Sequence, residues 1–219
     1  MSKEILTAKL YRDFAHVIYR ENDATISKNI SLGDLRALFT EYQFESPLFP
    51  LWTISYKEGN TRIGILTCRD TNIMHLNMGT EREDLDLHLP YVYFKWIINK
   101  DNGYYRVAET KIYTSYGAPH PDTKLYVPAI PNVYEDGNIC WGRNSNEIHR
   151  AYPDTDLTFL KQLENIFFIG IHNYDLVSSE AVNRGNGVKY TTESEWKNSS
   201  IIKQSRAGIR MSEFIKNNL

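Results

Sequence analysis

Apolar side chains recur every four residues near the start of the chain, at Leu6, Leu10, Phe14 and Ile18. That spacing stacks them on one helical face and predicts a helix from Ile5 to Ile18. Ser31, followed three residues on by Asp34, has the form of an N-cap before Leu32, Leu35, Leu38 and Phe39. It predicts a second short helix, limited by Pro47 and Pro50. From Trp52 to Met78 the period changes to two. Trp52/Ile54/Tyr56, a turn at Glu58-Gly59-Asn60, then Ile63/Ile65 and Ile73/His75/Asn77 have the pattern of antiparallel strands. The acidic run Thr80 to Asp86 is read as a solvated loop, with an acidic docking surface as the less favoured alternative. Tyr91 to Ile98 and Tyr104 to Tyr113 flank Asp101-Asn102-Gly103, a tight-turn sequence that predicts a long aromatic hairpin.

Prolines at 119, 121, 128 and 131 make the stretch from Gly117 to Gly142 an extended loop, interrupted by a short strand at Leu125 to Val127. Asp154, Thr155 and Asp156 offer a cap for a helix reaching Gly170, with Phe159, Leu160, Leu163, Ile166 and Phe167 on its buried face. Asn183 to Gly187 is a turn, and the tail from Lys189 is partly helical, with Ile201, Ile202, Ile209, Met211 and Ile215 as its apolar positions. The pattern predicts an α/β (α+β) chain in a single domain, 1–219. Its parts are an N-terminal helical region (1–50), an antiparallel β-meander of about four strands (51–127), a loop (128–145), and C-terminal helices packed behind (154–219).

Composition narrows the function classes. With 42% hydrophobic and 13% aromatic residues, the 219-residue chain has a core to bury and is not read as disordered. Its 25 Lys and Arg against 27 Asp and Glu leave a formal charge of −2, without the basic excess of a nucleic-acid or anionic-membrane binder. No apolar run is long enough for a membrane span. The two cysteines, 68 and 140, are too few for a disulfide framework, and the start Met1-Ser2-Lys3-Glu4-Ile5 lacks a signal-peptide pattern. A cytoplasmic protein with reduced thiols is expected.

The chemistry concentrates in one stretch, Lys124 to Gly142, KLYVPAIPNVYEDGNICWG. Cys140 falls outside every regular element the pattern predicts, although a free cysteine is commonly a small buried hydrophobe. Pro131, Asn132, Val133, Gly137, Ile139 and Cys140, with the cysteine eight positions after the asparagine, resemble the active-site loop of the ubiquitin-conjugating enzyme (E2) superfamily. Where that superfamily has His before the Pro-Asn pair, this chain has Ile130, and Trp141 follows the cysteine. Both features are similar to a bacterial branch, prokaryotic E2 family D, of the kind carried by the PRTRC gene cassette.

The resemblance implies a UBC-like fold and a bacterial E2-like transferase. Cys140 would take a ubiquitin-like protein as a thioester from an E1-like activating enzyme and pass it to a protein or small amine acceptor. Asn132 would either donate to the tetrahedral oxyanion or cap backbone groups of the turn through Gly137; both readings stand at this stage. Ile130 in place of His would change how the loop is braced without removing the nucleophile. No cofactor, metal, nucleic acid or membrane is implied.

Other readings compete. A non-catalytic E2-like module in a plasmid or mobile-element cassette would keep the fold and hold partner proteins. Cys140 with His149 or His172 would make a cysteine-hydrolase dyad. The aromatic hairpin Tyr91 to Tyr113 would serve a ligand- or nucleic-acid-binding domain as stacking platforms. Cys68 sits in a strand pattern and is read as structural. Cys68, Cys140 and the histidines lack metal-ligand spacing, and Gly185 and Gly187 lack the flanks of a phosphate loop.

Overall fold

Strands occupy the N-terminal stretch. The computed structural model describes residues 4–10, 14–21, 24–31, 52–79, 83–204 and 206–218, and the chain divides into two units, 1–46 and 47–219. In the first unit β1 (Glu4–Leu10), β2 (Phe14–Glu21) and β3 (Ala24–Ser31) form an antiparallel meander. This corrects the helix expected over Ile5 to Ile18, and with it the N-terminal helical region. Four is an even number, so residues four apart share a strand face as readily as a helix face. The β-branched and aromatic run Val17-Ile18-Tyr19 favours the strand. β2 and β3 stay in register from Phe14↔Ser31 to Glu21↔Ala24, with Val17 and Ile30 buried. The short helix expected after Ser31 lies outside the described residues.

The second unit is built on a five-stranded antiparallel sheet, in which β4 (Thr53–Glu58), β5 (Arg62–Asp70), β8 (Tyr91–Asp101), β9 (Tyr104–Ser115) and β11 (Tyr152–Pro153) lie in the order β11-β9-β8-β5-β4. The hairpin β8–β9 closes at Asp101↔Tyr104 through Asn102 (φ 45°) and Gly103 (φ 84°), the two left-handed residues of a type I′ turn that the sequence predicts. β5 and β8 are buried along most of their length because both faces of the sheet are covered. On one face Ile63, Ile65, Phe94, Trp96 and Ile98 meet α2 (Phe159–Ile169), where the Phe94 and Phe167 rings lie 5.8 Å apart. On the other, Leu66, Cys68 and Tyr93 meet α5 (Met211–Asn218), whose Phe214 packs 4.8 Å from Tyr113. A mixed α+β fold with antiparallel strands was the class expected.

Two local expectations need correction. The strand read as Ile73/His75/Asn77 has the opposite phase. β6 (Met74–Leu76) pairs with β7 (Leu85–Leu87), and Met74, Leu76, Leu85 and Leu87 are buried while Ile73 is exposed. The acidic run expected as a solvated loop therefore leads into a strand at its end, because Leu85 and Leu87 alternate with Asp86 and bury one face. α2 also begins at Phe159 instead of Asp154. The proposed cap residues form a turn after β11, in which Asp156 Oδ1 accepts from the Thr158 N–H at 2.7 Å. Short helices α1 (Ser145–Ile148), α3 (Ser179–Asn183) and α4 (Glu193–Lys197) complete the unit, with β10 (Lys124–Leu125) paired to β12 (Ile209–Arg210). Among the described residues no helix is long and apolar enough to cross a membrane.

Candidate functional site

β11 pairs only with the Tyr104–Tyr105 end of β9, leaving the rest of that edge open for another partner. The partner is the proline-rich segment. Thr114 and Tyr126 exchange both backbone hydrogen bonds at 2.8 and 2.9 Å, the Ile112 N–H donates to Gly137 O at 2.9 Å, and the Ile139 N–H donates to Thr110 O at 3.3 Å. Proline cannot continue a regular ladder, so the chain follows the edge irregularly and folds back on itself. Ile130 and Val133 are fully buried, Ile139 nearly so, and Pro131 is buried with them, which pins both limbs of a tight reversal. Val133 bridges to Ile139, and the Gly137 N–H donates to Tyr134 O at 3.0 Å. Gly137 has φ +88°, and a Cβ there would stand 3.2 Å from Ile112 O, which accounts for glycine at this corner.

The residues that the sequence spacing singled out thus converge on Cys140. The Cys140 N–H donates to the backbone carbonyl of Asn132 at 2.8 Å. Asn132 has φ +60°, a left-handed conformation that asparagine tolerates. Its carboxamide is engaged at both ends: Nδ2 donates to Ile171 O at 3.1 Å, and Oδ1 accepts from the Asn173 N–H at 3.2 Å. Those partners fix which end is nitrogen, since a carbonyl only accepts and an amide N–H only donates. The side chain therefore grips the segment following α2, not the turn through Gly137 as one expectation had it. One Nδ2 hydrogen remains beyond the bond to Ile171. Ile130, the residue before the Pro131-Asn132 pair, contributes packing only.

Trp141 anchors the far side of the cysteine. Its ring lies 6.2 Å from Phe167 at 72° and 6.4 Å from Trp96, so the residue after Cys140 is held in the aromatic cluster between α2 and the sheet. Cys140 itself is half-buried and borders two grooves. The first, about 620 Å³, runs past Asn132, Ile166 and Gly170 and is rimmed by Ile169 and Ile171, which are 73% and 68% exposed. The second, about 800 Å³, runs between β9 and the Tyr134–Asn138 turn, with His149 on its wall. At its edge Asp136 accepts from the Asn138 N–H at 3.0 Å and from Lys111 Nζ at 3.1 Å. Burial opposes the charge on Asp136, but these donors hold its carboxyl below the usual range.

Tyr134 is a site residue that sequence reasoning passed over, although it lies inside the motif. Tyr134 is 44% exposed and lines the second groove with Cys140, and the neighbouring thiol pushes its phenol up from its ordinary value. Its signal was the motif spacing itself, two positions after Asn132.

Of the competing constellations, His149 alone shares a groove with Cys140, and the others are placed elsewhere. His172 is buried against Phe167, ring centroids 5.2 Å apart, and faces the core while its neighbours Ile171 and Asn173 line the groove. Cys68 is buried beside Tyr93, and burial raises its thiol to about 12. The hairpin rings Tyr93, Phe94 and Trp96 are fully buried and offer no stacking surface. Asn186, between Gly185 and Gly187, bridges to Leu87 and extends the β6–β7 sheet. Among the described residues no group of three or more His, Cys, Asp or Glu is disposed to hold a metal.

No curated protein and no solved structure matches the chain. Residues 48–195, however, match the family model of Prokaryotic E2 family D, a stretch that includes β4 to β11, the Cys140 loop, α2 and the segment that grips Asn132. The match covers well over half of the 219 residues, and the chain accordingly belongs to prokaryotic E2 family D.

Proposed function

We propose that Cys140 carries a ubiquitin-like protein as a thioester and delivers it to an amine. An E1-like enzyme would spend ATP to activate the C-terminus of the ubiquitin-like protein. Cys140 Sγ then attacks that thioester carbonyl: a new S–C bond forms, the donor S–C bond breaks, and the thiol proton leaves with the donor sulfur. In the second step an amine attacks, the Cys140 S–C bond breaks, an amide forms, and one amine proton ends on the Cys140 sulfur. The observation that carries this reading is the position of Cys140 between two grooves. One sulfur atom is thereby open to an extended acyl tail on one side and to an acceptor on the other. The bare Ile169 and Ile171 suit the apolar part of a tail. Membership of the family supports the assignment of partners.

Each transfer develops an oxyanion beside the sulfur. The second Nδ2 hydrogen of Asn132 and the Tyr134 hydroxyl belong to residues that share a groove with Cys140, and they are the side-chain donors assigned to it. With the cognate activating enzyme, ATP and ubiquitin-like protein, the wild type gains one adduct removed by thiols, and Cys140→Ala gains none. Cys140→Ser traps an oxyester that withstands mild thiol treatment and yields to hydroxide. An undiminished thiol-sensitive adduct on Cys140→Ala would move the nucleophile elsewhere. No adduct in any lane with verified partners would favour the alternative of a catalytically inactive module that binds partner proteins.

A further inference from the structure

A carboxyl lies in the core between α2 and the sheet. Glu164, in the middle of α2, is 4% exposed. Arg69 of β5 is engaged elsewhere, by Asn165 Oδ1 at 3.0 Å and by the Phe168 ring at 4.4 Å, and burial pushes the Glu164 carboxyl up from its ordinary value. Leucine or methionine would fill this helix position without that cost, so the position is explained by the oxygen it supplies. Thr67 Oγ1 donates to Glu164 Oε1 at 2.5 Å, and Trp96 Nε1 donates to the same Thr67 oxygen at 3.3 Å. An indole N–H only donates, so Thr67 accepts from Trp96 with a lone pair and its single hydrogen is committed to Glu164. The three groups form a directed chain from α2 through β5 to β8, with the donor and acceptor fixed at each link. The chain ends on a ring that meets the Cys140 loop. Trp96 lies 6.4 Å from Trp141, the residue after Cys140. It also stands opposite Thr110 in the β8–β9 register, and the Thr110 carbonyl accepts from the N–H of Ile139, the residue before Cys140. Both chain neighbours of Cys140 are therefore tied to the Trp96–Thr110 pair.

We infer that Glu164, Thr67 and Trp96 are positioning residues: their hydrogen-bond chain fixes the plane of the Trp96 indole, and that ring seats Trp141 and so holds Cys140 half-buried between its two grooves. Describing this as support for a reaction rests on the conjugating role proposed for Cys140; the chain of hydrogen bonds itself does not.

Alkylation of the full chain with iodoacetamide at neutral pH, resolved by peptide mass spectrometry, reads Cys140 without any partner and compares it with Cys68, which is buried on the other face of the sheet. Trp141→Leu removes the seated ring and sets the reference, with Cys140 reacting about threefold to tenfold faster as the loop opens more often. Thr67→Val, which keeps the shape and loses the hydroxyl, and Glu164→Leu, which loses the acceptor, speed Cys140 by a similar factor while Cys68 stays protected. Glu164→Gln keeps an acceptor for Thr67 and the wild-type rate. In a Trp141→Leu background Thr67→Val adds nothing further, since both changes release the same ring contact. A wild-type Cys140 rate in folded Thr67→Val and Glu164→Leu overturns the inference, as does a Glu164→Gln protein as fast as Glu164→Leu. Equal acceleration of Cys68 and Cys140, which marks general loosening of the core, also overturns it, and so does a Thr67→Val effect that persists in full without the Trp141 ring. Should Glu164→Leu not fold, Thr67→Val decides by the same criteria. Intact coupling here with no thioester in the reconstituted reaction would remove the conjugating role and leave the positioning chain. A thioester without the coupling would remove the positioning chain alone.

Discussion

Replacing Asn132 separates what its side chain holds from what its backbone requires. The carboxamide makes two hydrogen bonds to the segment after α2, at 3.1 and 3.2 Å. At about 1 kcal/mol net for each bond, truncation loses about 2 kcal/mol. Asn132→Ala also loses the polar side chain that lets asparagine tolerate φ +60°, leaving a left-handed penalty of about 1–2 kcal/mol. Asn132→Gly escapes that strain but adds up to about 1 kcal/mol of chain entropy. The expected losses are therefore about 3–4 kcal/mol for alanine and about 2–3 for glycine. Asn132→Asp keeps the acceptor for Asn173 N–H but turns an oxygen toward Ile171 O, so it loses one bond and retains the tolerated backbone conformation. Urea unfolding followed by tryptophan fluorescence measures the change as a shift of midpoint at constant slope. All four tryptophans, at 52, 96, 141 and 196, lie in the unit that contains the site, so the signal belongs to that unit. An Asn132→Ala protein within about 1 kcal/mol of wild type would refute the bracing role. Asn132 would then be held for chemistry alone.

Burial keeps the His172 imidazole below its ordinary 6.5, with the Gly170 and Asn77 backbone offsetting only part of that effect. The folded protein thus refuses a proton that the unfolded chain accepts, so stability is complete above about pH 6.5 and falls as pH drops toward the lower folded-state value. His172→Leu flattens that decline relative to wild type in melting temperatures taken from pH 7.5 to 5; an unchanged decline would show that His172 is not its source. Cys68, raised to about 12 by burial, stays unlabelled by iodoacetamide in the native protein at pH 8 while Cys140 reacts, and it labels once urea opens the core. Equal native labelling of both thiols, read by peptide mass spectrometry, would contradict the core position of Cys68.

Where a local signal had one physical meaning, the fold was legible from residues. Asp101-Asn102-Gly103 supplies the two left-handed positions of a type I′ turn and flanks them with strand-forming residues, and the hairpin follows. The four-residue spacing from Leu6 to Ile18 has two meanings, one helical and one extended, and the extended one is realised. In the acidic run, charge masked the alternation of Leu85 and Leu87, because four carboxylates outweigh the single leucine, Leu85, in any average over Thr80 to Asp86. At the site, contacts near in sequence could be read and distant ones could not. The spacing of Asn132, Gly137 and Cys140 encodes a reversal that closes within itself. The partners of Asn132 lie 39 and 41 residues on. Nothing local marks them, since the sheet and α2 bring them together.

The loop that presents Cys140 also finishes the sheet. Its bonds from Thr110, Ile112 and Thr114 occupy backbone groups of β9 that would otherwise form an open edge, and open edges recruit strands from other molecules. Solubility and the surroundings of Cys140 consequently draw on the same few hydrogen bonds. A substitution that frees the loop to swing also uncovers an adhesive strand, so variants of the reversal are expected to sort into soluble proteins that keep the Cys140 loop in place and aggregates, with few soluble proteins whose loop has come loose between them.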